Sequence, residues 1–246
     1  MDIKGCTALV TGANRGLGKA YVDALFAHGA AKVYAGARDP ATVADSRATP
    51  LQLDVTSSEQ IARAVSACPD VTLLINNAGA MLATPIIAPN AEAALRAEME
   101  VNVFGVLRMA NAFAPVLARN GGGAIANMLS VVSWYVYPFN ATYCATKHAA
   151  LAVTNALRVQ LKGQGTQVSG VYAGFIDTDM AAAVEAEKTP PAQVAERTLE
   201  GIIHGLDHVY SDVAAEDLWA IASSSPAQLE AMCQALWDAG PPTWAV

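Results

Sequence analysis

The chain has 246 residues, of which 53% are hydrophobic and only 15% are charged. This composition excludes a disordered chain and suits a single α/β domain with a sizeable core. The formal net charge of −7 argues against a general nucleic-acid binder, because such proteins neutralise phosphates with clustered lysine and arginine. A small anionic ligand held by a few local cations is still compatible with that charge.

Cysteine spacing and hydropathy indicate in which cellular compartment the protein is located. The chain begins too polar for a signal peptide, and its most apolar stretch, 124–139, is interrupted by Asn127, Ser130 and Ser133, unlike a membrane span. The four cysteines lie far apart without metal or Cys-x-x-Cys spacing. They are Cys6, Cys68, Cys144 and Cys233. We therefore expect a cytoplasmic protein with reduced thiols and no membrane segment.

Short apolar runs alternate with helical patterns along the chain. Because the runs are continuous, they are typical of parallel strands that are covered on both faces. The predicted strands are 6–10, 32–36, 50–53, 71–75, 124–128 and 167–171. The predicted helices are 16–28, 57–68, 91–119 with a break, and 143–162.

The connections between these elements complete the predicted fold. Thr56 and Glu59 have capping-box spacing at the start of the second helix, whereas 36–50 is too short and polar for a full crossover helix. A short edge strand at 209–212 precedes two helices that end near Trp237. The order βαβαβ predicts one domain over 1–246, a Rossmann-type doubly wound α/β sheet that binds ligands at the carboxyl ends of its strands.

A glycine-rich turn follows the first strand with the spacing Gly-x-x-x-Gly-x-Gly. Glycine lets the backbone approach a pyrophosphate, whose charge then meets the N-terminus of the next helix. Glycines alone fit an ordinary strand-to-helix turn equally well, but their place at the start of a βαβ unit favours a dinucleotide site. The candidate cofactor residues here are Gly12, Asn14, Arg15, Gly16, Leu17 and Gly18.

The end of the second strand indicates which cofactor is bound. An acidic residue there would hold the ribose 2′-hydroxyl of NAD, whereas Arg38, with Arg15 close by, suits the 2′-phosphate of NADP. Asp39 lies one place beyond the expected contact. A solvated surface Arg–Asp pair is the alternative, and NADP is the prediction.

Three further strings complete a pattern. Asn76 is followed by Asn77, Ala78 and Gly79 after the fourth strand, Asn102 lies in Val-Asn-Val-Phe-Gly, and Ser130 precedes Tyr143 by thirteen residues, with Lys147 four residues later. With the glycine turn, these strings over 7–180 resemble the short-chain dehydrogenase/reductase family, whose members carry TGxxxGxG, NNAG, an NxxG asparagine and Ser…YxxxK in this order.

The Tyr143–Lys147 pair also makes chemical sense by itself. Residues four apart share one helix face, so an ammonium beside the phenol would lower a tyrosine pKa that is ordinarily about 10. Ser130 is placed to hydrogen-bond a substrate oxygen, with Ser133 as a competing candidate that the thirteen-residue spacing disfavours. A harmless surface Tyr–Lys pair is the bland alternative for each motif taken singly.

The resemblance implies further roles. Lys147 would bind the nicotinamide ribose, and Asn102 would bind a water in a proton relay. Asn77 would contact the cofactor ribose through its backbone. Asp54 and Val55 would contact adenine. The alternatives are that Asn102 closes a helix kink, that Asp54 belongs to a loop and that the paired asparagines brace the sheet.

The resemblance is weaker towards the end of the chain. Ile176 and Thr178 would meet the nicotinamide carboxamide, although Ala173 replaces a usual proline. The substrate loop or lid would cover about 175–195. The tail 213–246 lacks the family's Asp-Gly-Gly string, which leaves the family's usual oligomer interface in doubt.

The implied activity is NADPH-dependent reduction of a carbonyl to an alcohol, with Tyr143 as proton donor. Oxidation of an alcohol, or NADP sensing without turnover, are the alternatives. The apolar helices 91–119 and 143–162 predict a homodimer or homotetramer, and neither a metal nor a nucleic acid is expected as partner. Four aromatics in 131–142 favour a bulky, uncharged substrate, unless they pack against the core or a neighbouring subunit.

Overall fold

A computed structural model describes residues 1–242 and contains one parallel sheet of seven strands. The strands are β1 (Thr7–Thr11), β2 (Lys32–Ala37), β3 (Thr49–Gln52), β4 (Leu73–Asn76), β5 (Gly123–Met128), β6 (Thr166–Tyr172) and β7 (His208–Tyr210). Their order is β3-β2-β1-β4-β5-β6-β7, so the chain changes direction across the sheet between β1 and β4. The doubly wound fold is confirmed, and this switch point is where such sheets bind ligands.

Eight helices accompany the sheet in the described residues. They are α1 (Gly16–Ala27), α2 (Ser58–Ala67), α3 (Ala91–Met99), α4 (Val106–Arg119), α5 (Ala141–Leu161), α6 (Pro191–Ile203), α7 (Val213–Ser224) and α8 (Pro226–Asp238). The break expected in the long helix is a π-helical turn over Glu100–Gly105. Such turns insert extra backbone into a helix and are frequent at functional sites.

The core consists of two layers, one on each face of the sheet. Successive residues of a strand point to opposite faces, so Val10 of β1 packs with α1 and α6 while its neighbour Leu9 packs with α2 and α4. Phe113 of α4 is completely buried in the second layer. Because both faces are covered, only the strand ends are left for a site.

Two local details refine the sequence expectations. The start of α2 is capped by Ser57, whose side chain accepts from the Gln60 N–H, so the capping box predicted at Thr56 is wrong. The reason is that Asp54 accepts hydrogen bonds from both the N–H and the hydroxyl of Thr56. The crossover between β2 and β3 is the expected short one, a single 3-10 turn over Pro40–Thr42.

The last two helices are attached to the surface of the domain. Ala215 is the one buried residue among those described in α7, and α8 has none. The predicted tail, 213–246, extends past this part, since 243–246 lie outside the described residues.

One helical stretch, Ala91–Arg119, is long and apolar enough to cross a membrane by length and composition alone. Half of its most apolar window is buried inside the structure, as in a core helix of a globular domain.

Candidate active site

The glycine turn lies at the carboxyl end of β1, at the switch point. Gly12 has a φ of 65°, a backbone conformation that residues with a Cβ rarely adopt. At Gly18 an added Cβ would lie 1.9 Å from the Gly12 carbonyl oxygen, so only glycine fits. Arg15 precedes α1 without capping it through its side chain. The turn therefore presents close-packed backbone and a helix N-terminus, the arrangement that binds a pyrophosphate.

Asn77 and Ala78, which directly follow β4, hydrogen-bond to the end of β1 and so hold the glycine turn in place. Thr11 Oγ1 accepts the N–H groups of Asn77 and Ala78, each at 3.0 Å. Asn77 Nδ2 donates to the Thr11 and Gly12 carbonyls at 2.9 and 3.3 Å. Asn76 reaches the other way, donating to Asn127 Oδ1 at 2.8 Å. Bracing of the sheet, the alternative raised for these asparagines, is thus what their side chains do.

The basic residues expected at the cofactor phosphate differ in their surroundings. Arg38 is exposed directly after β2, whereas Asp39 is turned into the following 3-10 turn, where it accepts the Ala41 N–H at 3.0 Å. Arg15 forms an exposed ion pair with Asp179 at 2.8 Å. Arg38 therefore has the freer guanidinium, and Arg15 would have to exchange Asp179 for a phosphate.

Tyr143 and Lys147 lie one turn apart on α5. Lys147 Nζ is 5.4 Å from the centre of the Tyr143 ring and donates to the Met128 carbonyl at the end of β5, at 2.8 Å. Lys147 is only 5% exposed. The Met128 carbonyl thus fixes the position of the Lys147 ammonium, whereas the sequence alone shows only that Lys147 and Tyr143 share one helix face.

Burial governs the protonation of this pair. Burial lowers the pKa of Lys147 to about 8. Burial also raises the pKa of Tyr143 well above its usual value, with Cys144 and Glu98 adding to the effect. The expectation that the ammonium lowers the tyrosine pKa is therefore not met in this structure, because desolvation of the phenolate outweighs it.

Ser130 and Ser133 form a reciprocal cap at the end of β5. Ser130 Oγ accepts the Val132 N–H at 3.3 Å and lies 3.4 Å from the Ala173 carbonyl, while Ser133 Oγ accepts the Ser130 N–H. Ser133 is 1% exposed and Ser130 9%. The more accessible Ser130 is thus the better candidate to meet a substrate, and Ser133 supports it.

Asn102 lies in the π-helical turn between α3 and α4 and is buried. Its Oδ1 accepts the Ala80 N–H at 2.9 Å, and its Nδ2 donates to the Ala80 carbonyl at 2.8 Å and to Thr146 Oγ1 at 3.0 Å. The side chain thereby connects the segment after the asparagine string to α5. This arrangement accords with the alternative of a buried asparagine at a kink, and the relay role stays a prediction.

The remaining cofactor candidates line the same strand ends. Asp54 is engaged with Thr56, and buried Val55 packs against Gly105 of the π-helical turn. In the lid, Ile176 pairs with Thr189 in an isolated bridge, and Thr178 contacts Gly16 of the glycine turn. These residues follow the carboxyl ends of β3 and β6, and their cofactor contacts stay predictions.

Two of the four aromatic residues of 131–142 pack against the C-terminal helices. Trp134 packs on Tyr172 and on Trp219 of α7, with ring centres 4.3 and 5.2 Å apart. Phe139 stacks on Trp237 of α8 at 5.0 Å. These two rings therefore hold the C-terminal helices, which is the structural alternative for them.

One buried acid was missed at the sequence level. Glu98 of α3 is 0% exposed, and its Oε1 accepts the Leu82 N–H at 2.6 Å. Its position four residues before Asn102, on the same helical stretch, is the signal that would have revealed it. No group of three or more metal-binding side chains comes together in residues 1–242.

Comparison with known proteins shows the family to which this chain belongs. The family model for short chain dehydrogenase matches residues 6–189. The NADPH-dependent 1-acyldihydroxyacetone phosphate reductase of Schizosaccharomyces pombe is 38% identical over 133 residues, 52% of this chain and 44% of that protein. A 3-oxoacyl-acyl-carrier-protein reductase of Vibrio cholerae is 31% identical over 202 residues, 76% of this chain and 80% of that protein.

A solved structure extends the likeness over the whole fold. The short chain dehydrogenase from Burkholderia cenocepacia in complex with NADP is 40% identical, with a TM-score of 0.91 over 95% of this chain and 99% of that one. The chain belongs to the short-chain dehydrogenase family.

Proposed function

We propose that the protein is an NADPH-dependent reductase that converts a ketone or aldehyde into an alcohol. The observation that carries this proposal is the pair on α5: a part-buried Tyr143, and a buried Lys147 whose ammonium the Met128 carbonyl fixes 5.4 Å from the centre of the Tyr143 ring. Such a pair supplies an acid and a compensating cation at one point of the cleft.

The residues present fit a dinucleotide. The Gly12–Gly18 approach leaves no room for side chains, and the N-terminus of α1 is directed at the same space. Gly12, Asn14, Gly16, Leu17 and Gly18 would hold the pyrophosphate. The adenosine and ribose contacts would come from Asp54, Val55, Asn77, Ala78 and Gly79, and the nicotinamide contacts from Ile176 and Thr178. When bound, the cofactor supplies the hydride.

The chain's own residues handle the proton and the charge. Ser130 Oγ would hold the substrate carbonyl oxygen, and Tyr143 would donate its proton to that oxygen as the alcohol forms. The phenolate left behind is stabilised by the Lys147 ammonium. Solvent returns the proton to Tyr143, and Asn102 is the residue proposed to order a water on that path.

NADPH rather than NADH is proposed on the basis of charge. Arg38 is exposed after β2, and Asp39 is occupied by the Ala41 N–H, so no carboxylate stands ready for a ribose 2′-hydroxyl. A guanidinium suits the 2′-phosphate. The Burkholderia relative was crystallised with NADP, which supports the same choice.

Two alternatives share the site. Alcohol oxidation uses the same residues in reverse, whereas a non-catalytic NADP sensor would not need a protonated Tyr143 beside Lys147. The proposed preference for NADP favours the reductive direction.

An uncharged, apolar substrate is proposed. The segments 131–142 and 175–184 contain no lysine or arginine that could bind a carboxylate. Since Trp134 and Phe139 face the C-terminal helices, the case for an aromatic substrate rests on the other side chains of the loop and on Met180, which is 47% exposed.

A cytoplasmic homodimer or homotetramer is proposed through α4 and α5. Val159 of α5 is 77% exposed and Phe104 beside α4 is 43% exposed, so apolar surface is available for a second copy. Light scattering at micromolar concentration tests this, and a monomeric mass would contradict it.

The activity is tested with NADPH and a panel containing a small ketone, an aryl ketone and a keto acid, following absorbance of the reduced nicotinamide. Tyr143→Phe should fold, bind NADPH and lose nearly all turnover, since it removes only the acidic hydroxyl. Tyr34→Phe, whose hydroxyl donates to Asp70 before the start of β4, is the matched control for a lost phenol. Full activity in Tyr143→Phe would require another acid, and preference for the keto acid would refute the proposed substrate class.

A further inference from the structure

The segment 80–84, which follows the asparagine string, is held by three elements. Asn102 binds both backbone groups of Ala80. Glu98 of α3 accepts the Leu82 N–H at 2.6 Å. The carbonyl of Thr84 accepts the N–H of Thr142, the residue before Tyr143, at 3.1 Å. The segment is therefore linked directly to the helix turn that carries the proton donor.

Ala83, in the middle of this segment, has an unfavourable backbone conformation. Its φ of 48° makes it the only residue other than glycine with a positive φ in residues 1–242. Alanine rarely adopts this region, and such a conformation persists only where the surroundings determine it. The hydrogen bonds at Leu82 and Thr84 flank Ala83 on both sides, so they are the contacts that hold it.

Glu98 is an unusual residue to find in this position. It is fully buried, and Oε2 and the nearby Thr142 Oγ1 are buried without a hydrogen-bond partner of suitable geometry among the described residues. Burial raises the pKa of the Glu98 carboxyl, and the Leu82 N–H, followed by the Thr142 hydroxyl, partly offsets that. None of the ion pairs formed by described residues includes Glu98. A buried acid without a cation is unfavourable for stability, so its contact with Leu82 needs another explanation.

We infer that Glu98 is a positioning residue, which holds 80–84 in the strained turn at Ala83 and thereby fixes the wall of the cleft against the start of α5. It touches neither of the reacting groups. Its effect on catalysis rests on the proposed reductase function, whereas its effect on the segment does not.

Four variants test this inference. Glu98→Gln keeps the shape and an acceptor for the Leu82 N–H, and Glu98→Leu fills the space without one. Ala83→Gly removes the need to hold the turn, because glycine adopts a positive φ readily. The fourth variant combines Glu98→Leu with Ala83→Gly. The matched control is Glu92→Leu, which removes an exposed glutamate of the same helix.

The measurements are kcat and KM for a ketone, the Kd for NADPH by calorimetry, and amide exchange at 82–84. Glu98→Leu should lower kcat at least tenfold and speed exchange at 82–84, with the NADPH Kd changed less than threefold. Glu98→Gln and Glu92→Leu should stay within twofold of the wild-type kcat. Adding Ala83→Gly to Glu98→Leu should recover at least threefold in kcat.

The inference is overturned if Glu98→Leu keeps the wild-type kcat and the wild-type exchange at 82–84, or if Ala83→Gly recovers nothing. Should Glu98→Leu fail to fold, Glu98→Asp, whose carboxyl is one methylene too short to reach Leu82, takes its place with the same expectations. If the wild type reduces no carbonyl, the proposed function fails, and the exchange comparison still decides the role of Glu98.

Discussion

Replacing Lys147 by methionine should stabilise the cofactor-free protein while abolishing its activity. Burial lowers the pKa of Lys147 from its ordinary 10.5 to about 8, which at about 1.36 kcal/mol per unit is a cost of about 3 kcal/mol for keeping the ammonium charged at pH 7. Methionine fills similar space and removes that cost. It also removes the hydrogen bond to the Met128 carbonyl, worth about 1.5–3 kcal/mol for a charged donor.

The net expectation for Lys147→Met is a gain of up to about 1.5 kcal/mol in the free energy of unfolding, or up to about 6 °C in Tm for a chain of this length. Thermal melting at pH 7 measures it, with Lys162→Met, at an exposed position after the same helix, as the neutral control. Turnover should be lost, and NADPH should bind more weakly.

The gain should also depend on pH. Below about pH 8 Lys147 is charged in the folded and the unfolded chain, so the full cost applies. Above it the folded state loses the proton first, and the wild type gains stability as the pH rises towards about 10.5. The advantage of methionine should therefore narrow between pH 8 and 10. A lower Tm for Lys147→Met at pH 7 would refute this reasoning and show that the contact with Met128 outweighs the desolvation.

Three further predictions concern the cofactor and the reaction. Arg38→Asp should reverse a preference for NADPH over NADH of at least about tenfold, or about 1.4 kcal/mol, in calorimetric titrations, and equal affinity for both cofactors in the wild type would contradict the assignment. Gly18→Ala should abolish NADPH binding or folding, because its Cβ would lie 1.9 Å from the Gly12 carbonyl oxygen, whereas Gly163→Ala, with open space around it, should leave both unchanged. The rate of carbonyl reduction should fall above about pH 8, as Lys147 loses its proton; a rate that still rises at pH 9 would exclude an essential ammonium.

Hydrophobic runs and motif spacing predict much of this molecule. The parallel strands follow from continuous apolar runs, and the pairing of Tyr143 with Lys147 follows from a spacing of four on one helix. Both are local properties of the chain, so neighbouring residues are enough to reveal them.

Contacts between distant segments could not be predicted in this way. The carbonyl of Met128 reaches Lys147 across β5 and α5, and Glu98 reaches Leu82 in another loop. Trp134 and Phe139 are among the four aromatics that favour a bulky substrate by sequence, but α7 and α8 pack against them instead. Ser57 rather than Thr56 caps α2, because the Thr56 hydroxyl donates its hydrogen bond to the Asp54 carboxylate. In each case a tertiary partner, invisible in the local pattern, decides the role.

The aromatic attachment of the C-terminal helices gives the protein an intrinsic optical reporter. Trp219 lies against Trp134, and Trp237 lies against Phe139, so indoles on both C-terminal helices adjoin the chain that leads from Ser130 to Tyr143. Indole emission depends on exposure to water and on neighbouring rings. Detachment of either helix would therefore shift the emission to longer wavelength, and a substrate that moves this loop would change its intensity. The docking of the tail can thus be followed in solution without an added dye.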